Sequence, residues 1–203
     1  MAAHLGAHET VETHEILMSA INAINTMQLY RPYAKDSRLV QILDKQLQFA
    51  VNEYNFLVQT LQNVNAQGRP QSAPYSAAGG FTPIYGLDNP AMESPNLTAK
   101  QMDDRDVATG LLCLHKASAM MKMTASLECA NRELRSAMQQ GAVNCSEQAY
   151  EVWQYMNQAG HYQVPTMKEM TTNTIIGHFQ TAGQPAAQPN AFPAPSPTGF
   201  NMQ

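Results

Sequence analysis

Proline placement constrains this chain more than any other feature. Of its 12 prolines, residues 8–63 hold only Pro32, and residues 101–160 hold none. Pro70, Pro74, Pro83, Pro90 and Pro95 gather in 64–100, together with Gly68, Gly79, Gly80 and Gly86. Pro165, Pro185, Pro189, Pro193, Pro195 and Pro197 gather in 161–203. Proline has no backbone N–H and clashes with the preceding helical turn, so long helices fit only in the first and third stretches. The second stretch reads as a linker. The end, from near Gly183, reads as a disordered Pro/Gln/Ala tail.

Apolar periodicity divides the helical stretches again. On a 100° wheel His14, Leu17, Met18, Ile21, Ile24, Asn25 and Gln28 share a face, which predicts a helix over 9–33. Lys35-Asp36-Ser37 supplies a turn and a cap. Leu39, Ile42, Leu43, Gln46, Leu47, Ala50, Tyr54, Leu57 and Leu61 predict a second helix over 37–63. Val107, Leu111, Leu114, Ser118 and Met121 predict a third over 101–128, with the next turn at Asn131. Leu134, Met138, Ala142, Cys145, Ala149, Val152, Trp153 and Met156 predict a fourth over 132–159, stopped by Gly160. No period-2 alternation of useful length occurs, so no core strand is expected. The two halves also align loosely, at offsets of 95 and 93 residues, as two helical hairpins.

Each predicted helix has one apolar face and must bury it against others. At roughly 25–29 residues each helix is ~38–44 Å long. The linker is long enough to run that length in extended form. The expected fold is therefore all-α: a ferritin-like four-helix bundle of two hairpins joined by a long Pro/Gly-rich crossover, with a disordered Pro-rich C-terminal tail. The divisions are 1–63 for the first hairpin, 64–100 for the crossover, 101–165 for the second hairpin, and 166–203 for an extended segment and the tail.

Charge and composition exclude several functions. The net charge of −4 lacks the basic excess of a nucleic-acid binder. No apolar run approaches the ~18 residues of a membrane span, so an integral membrane protein is not expected. Residues 1–15 carry His and Glu and lack a basic, then apolar, secretory signal. Three cysteines make no disulfide framework. Charged residues are only 14% of the chain, against about 25% in ordinary domains.

A ferritin-like bundle invites a search for a di-metal centre, which needs inward Glu residues and Glu-x-x-His pairs. No Glu-x-x-His exists in the sequence, and the second and fourth predicted helices contain no histidine. The remaining metal candidates are His4, His8 and Glu12, spaced i, i+4, i+8, with His14 beside them. Three Glu near a helix start equally suit the helix dipole, and His14 equally suits a semi-buried histidine with a hydrogen-bond partner. His14 and Glu53, with Gln46, form the nearest expected interior polar pair. Cys145 is expected as a small core residue and Cys113 as a residue facing away from its stripe. Spacings of 16 between Cys113, Cys129 and Cys145 match no metal motif. Trp153, the single tryptophan, is expected as a packing anchor. No catalytic residue, cofactor site or bound metal is expected.

One segment carries a family resemblance. Tyr155-Met156-Asn157-Gln158-Ala159-Gly160-His161-Tyr162, followed by Val164-Pro165, stands with Asp103-Asp104-Arg105-Asp106, Leu111-Leu112, Lys116 and Glu128-Cys129-Ala130-Asn131-Arg132-Glu133-Leu134-Arg135. Over residues 101–165 this resembles the spore coat F family of endospore-forming bacteria; the first hairpin is similar to the matching half of longer members. His161 stands where that family often has Trp. The resemblance implies a helical, non-enzymatic structural component of the spore coat, made in the mother-cell cytoplasm. Its implied partners are other coat proteins, with self-association left open. The competing reading is a metal-binding or oxidant-handling ferritin-like protein with rearranged ligands.

Overall fold

The computed structural model describes residues 5–62, 73–77 and 79–183. His4 and the tail expected beyond Gly183 lie outside the described residues. Four long helices form where prolines are scarce: α1 (Ala7–Tyr30), α2 (Ser37–Gln62), α3 (Asp104–Leu127) and α4 (Arg132–Gln158). The only strand-like pairing among the described residues is an isolated bridge of Tyr85 and Gly86 with Val164.

Local chemistry sets the boundaries. Pro32 lies in a single 3-10 turn that ends α1. Asp36 accepts from the Arg38 N–H (2.8 Å) at the start of α2. At the start of α3, Asp103 accepts from the N–H groups of Arg105 (2.9 Å) and Asp106 (3.1 Å), while Asp106 reaches back to the Asp103 N–H (3.1 Å). This reciprocal cap satisfies donors that a helix start leaves without partners. Asn131 caps α4 through Glu133 and Leu134, at 3.0 Å each. Gly160, at φ 74°, then turns the chain left-handed, and the His161 N–H closes on the Met156 carbonyl (2.8 Å).

α1 packs on α2 and α3, and α4 packs on α2 and α3. Cross-contacts fix the directions. The start of α1 meets the end of the α3–α4 turn through Glu9 and Asn131, while Lys35 and Asp36 meet Asp104 at the start of α3. α2 runs against α4, since Gln46 bonds Gln148 and Glu53 bonds Asn144. α2 and α3 therefore point the same way on opposite corners, and the chain between them must travel the length of the assembly. It does so along α4: Tyr75 bonds Asn144, Ala77 bonds Glu147, Ile84 bonds Asn157, and Asp88 bonds Gln163.

Two apolar clusters fill the interior. One holds Met27, Leu39, Leu43, Val107, Leu111, Val152 and Met156. The other holds Ile16, Leu57, Ala125, Leu134 and Met138. The expected stripes of α2 and α4 match the buried faces, apart from Trp153, which is half-buried and packs on the first cluster from outside. Its ring stacks on Tyr150 (5.5 Å) and meets Phe81 of the crossover edge-on (5.6 Å).

Two expected faces were misplaced. α1 buries Glu9, Thr13, Ile16, Ala23 and Met27, while His14, Met18, Ile21 and Asn25 are exposed. The buried face of α1 thus mixes Ile16 and Met27 with the small and polar Glu9, Thr13 and Ala23. On α3 the buried face continues from Leu111 and Leu112 to His115, Ala125 and Ser126, and Met121 is exposed.

Described residues 166–183 belong to a unit separate from the one that ends at Pro165. Where an extended segment was expected, this unit contains a helix, α5 (Glu169–Gly177), all of whose residues are exposed. With no proline between Pro165 and Pro185, nothing in the backbone prevents helix there.

Candidate functional site

The interior between the two apolar clusters is polar. Gln46 and Glu53 lie seven residues apart on α2, and His115 and Lys122 lie seven apart on α3. Seven residues is close to two helical turns, so each pair lies along one face. Because α2 and α3 run parallel, both pairs meet across the interior with the same chain separation of 69 residues.

In the first layer, Gln46 Oε1 lies 2.9 Å from His115 Nε2. The Gln46 amide nitrogen donates to the Gln148 carbonyl (3.1 Å) and to Glu151 Oε2 (3.0 Å). The amide oxygen is thus the acceptor, which fixes His115 as the tautomer protonated on Nε2. Desolvation, then the nearby Lys122 charge, push the His115 pKa down to about 3. Glu151 also accepts from the Tyr75 hydroxyl and from Lys45 Nζ (2.7 Å). Burial, then the Glu151 carboxylate, hold the Tyr75 phenol far above its ordinary pKa.

In the second layer, Lys122 Nζ donates to Glu53 Oε2, and Asn144 Nδ2 donates to Glu53 Oε1 (2.8 Å). Lys122 Nζ also lies 3.4 Å from Cys145 Sγ. Burial works to strip the Lys122 proton, but Cys145 and Glu53 outweigh it and the pKa ends above the ordinary lysine value. Burial also pushes the Cys145 thiol up. Gly141 explains how Lys122 reaches this position. A Cβ at Gly141 would lie 3.0 Å from Lys122 Cδ and 3.4 Å from its Nζ. Glycine inside a helix costs about 1 kcal/mol relative to alanine; here it leaves the lysine its passage. Beside these groups lies a cavity of about 50 Å³, with Ile16, Ala20, Ala23 and Leu57 on its apolar side and Glu53, Lys122 and Cys145 on its polar side.

The carboxylates here already bind donors from the chain itself: Lys122 and Asn144 on Glu53, and Lys45, Gln46 and Tyr75 on Glu151. Among the described residues no three His, Cys, Asp or Glu side chains converge. The arrangement is suited to holding helices in register, with charge neutralised internally.

Of the expected N-terminal candidates, the described His8, Glu12 and His14 form no cluster. His8 is exposed, with Nδ1 3.6 Å from Glu128 Oε2. Glu12 is partly buried on α1. His14 is exposed, not semi-buried, and its Nδ1 lies 3.3 Å from its neighbour Glu15. The expected partnership of His14 with Glu53 does not form; Glu53 binds Lys122, and Gln46 binds His115. His115 is fully buried. Cys145 is buried and Cys113 exposed, as expected.

The sequence gives Asn144, Asn157 and Gln163 no role of their own, though Asn157 lies in the Tyr-Met-Asn-Gln motif. Each hydrogen-bonds the backbone of the crossover, and Asn157 grips both the N–H (2.8 Å) and C=O (3.0 Å) of Ile84. An irregular segment must satisfy its backbone groups somewhere. The polar residues of Tyr-Met-Asn-Gln are the available signal for that role.

Residues 103–165, which contain α3, α4, the turn between them and the left-handed stop after α4, match the Coat F domain. The α3–α4 half of the chain is thus similar to the Coat F domain. The chain is similar to the spore coat protein F-like protein YhcQ of Bacillus subtilis (strain 168), with 28% identity over 177 residues, covering 87% of this chain and 81% of that relative. The similarity therefore extends well beyond the Coat F domain. No solved structure matches the chain. No described helix is long and apolar enough to cross a membrane.

Proposed function

We propose that this protein is a structural component of the bacterial spore coat that works by packing and assembly rather than catalysis, on a ferritin-like four-helix bundle. The observation that carries the reading is the interior itself. Where a di-metal bundle presents carboxylates to metal, this one binds Glu53 to Lys122 and Asn144, and Glu151 to Lys45, Gln46 and Tyr75. A carboxylate satisfied by lysine, amide and phenol donors is a structural cross-tie. The family and the YhcQ relative support the coat as the place of work. Other coat proteins are the expected partners.

A fluorescent fusion followed through sporulation of an endospore-forming host tests the location. The expected outcome is a ring around the forespore; diffuse mother-cell fluorescence to the end would reject it. Chemistry is tested by anaerobic iron loading followed by oxygen. No stoichiometric iron oxidation is expected. Oxidation that disappears in a Glu53→Gln protein would replace this reading with the metal-handling one.

A further inference from the structure

Lys122 and Cys145 are more than neighbours in a packed core. Their reactive atoms lie 3.4 Å apart, on different helices, with a carboxylate already bonded to the nitrogen. The cavity beside them has a volume of about 50 Å³. One water needs only ~10–15 Å³ of such space. A peroxide, with two oxygen atoms, fits. The Lys122 and Glu53 side chains keep 13% and 16% of their surface in contact with solvent, so a small polar solute can reach the polar end. Gly141 keeps that end open for the lysine.

We propose that Lys122 and Cys145 are a modification site, at which a peroxide joins α3 to α4 through a covalent nitrogen–sulfur bond. The first step oxidises the thiol: Cys145–SH and H2O2 give Cys145–SOH and water. Sulfur is oxidised by two electrons and the peroxide O–O bond is reduced. A sulfenic acid condenses with a nearby thiol or nitrogen when one is in reach; Lys122 is that nitrogen. Glu53 takes one proton from the Lys122 ammonium. The freed amine attacks Cys145 sulfur, the S–O bond breaks, and the departing hydroxyl leaves as water with a second proton from nitrogen. The product is Cys145–S–NH–Lys122 with a protonated Glu53, and no further oxidant is required. Neighbouring cysteines lack this arrangement: Cys129 donates to the Ala125 carbonyl one turn back, and Cys113 is exposed.

Burial holds the Cys145 thiol, and Cys145 and Glu53 hold the Lys122 ammonium, above their ordinary pKa values, so both reacting forms are scarce at neutral pH and the reaction quickens as pH rises.

The experiment is peroxide treatment of the purified full chain, digestion without reductant, and mass spectrometry. The expected product is a peptide pair joining Lys122 to Cys145, lighter by two hydrogens than the sum of its parts and separated again by dithiothreitol. It is absent from Lys122→Arg and Cys145→Ser proteins, and its yield falls several-fold in Gly141→Ala, where the new methyl displaces the lysine. The wild-type readout stands even if a variant fails to fold. Cys145 carried to sulfinic acid with Lys122 unmodified overturns the proposal. So does Cys145 left as a thiol under conditions that oxidise Cys113.

Discussion

α1 and α4 differ little in length, at 24 and 27 residues, yet α1 buries five residues and α4 buries 14. The difference comes from what covers them. α1 is packed by α2 and α3. α4 has the same two kinds of neighbour, and the crossover lies along its remaining side through Asn144, Glu147, Asn157 and Gln163. A helix covered on three sides cannot be read from an apolar stripe, because part of what covers it is backbone that demands polar partners. Burial and hydrophobicity therefore part company on α4, while on α1 several large apolar residues face outward.

The strongest way to break the comparison is to remove one member of the ion pair that ties α3 to α2 beside α4. Glu53→Leu leaves the Lys122 ammonium without its counter-charge and should cost about 3–5 kcal/mol in denaturant titration. The double variant with Lys122→Met should recover much of that loss, because the uncompensated charge is what is costly. Full persistence of the loss would mean that Glu53 matters for shape instead.

A matched pair of truncations sharpens the contrast between helices. Met138 on α4 is fully buried. Met138→Ala empties that site and should cost about 2–5 kcal/mol. On α1, by contrast, the Met18 side chain is 53% exposed. Met18→Ala should stay within about 0.5 kcal/mol of the parent. Equal effects would show that the outer face of α1 is covered in solution.

The crossover is tested more gently by Tyr75→Phe. Its ring stays, but the buried Glu151 loses one donor. The expected cost is about 1–3 kcal/mol. No change would place the ring outside the interior.

A pH dependence gives a separate test of the polar interior. Burial, then the Lys122 charge, holds the His115 pKa down to about 3 in the fold, from 6.5 when unperturbed. Its folded pKa is lowered, so the unfolded chain binds the proton first. The stabilisation from keeping it neutral is present above pH 6.5 and is lost as pH falls toward 3. Glu9 also has a lowered pKa, set chiefly by the Asn131 N–H, but from a starting value of 4.5. Between pH 6.5 and 4.5 the slope thus reports His115 rather than Glu9, and His115→Gln should flatten it in urea titrations at stepped pH.

Much of this was legible in the sequence, for identifiable reasons. Proline spacing and the turn signals at Asp36 and Asn131 are local, so four helices could be read with their ends within three residues of those observed. The stripes of α2 and α4 repeat Leu, Ala, Met and Val at helical spacing and were equally clear. The face of α1 is not legible from hydrophobicity, because Glu9, Thr13 and Ala23 are buried while Met18 and Ile21 are exposed. The polar interior was hidden because each of its contacts joins distant chain segments. The usable signal was the shared seven-residue spacing of Gln46 with Glu53 and of His115 with Lys122, which acquires meaning only once α2 and α3 are known to run parallel.

That parallel arrangement imposes a sequence of assembly events. The α3–α4 hairpin closes across residues 128–131, a short loop with little entropy to lose, whereas seating α2 beside α4 closes a loop of about a hundred residues. Local closure is the faster process. The Coat F segment can therefore form early and serve as a template, and the stretch around Tyr75 to Asp88 has nothing to lie on until α4 exists. A segment that docks last through hydrogen bonds at one margin is also the natural first to lift away, and lifting it would bring water to Glu151 while the four helices still stand.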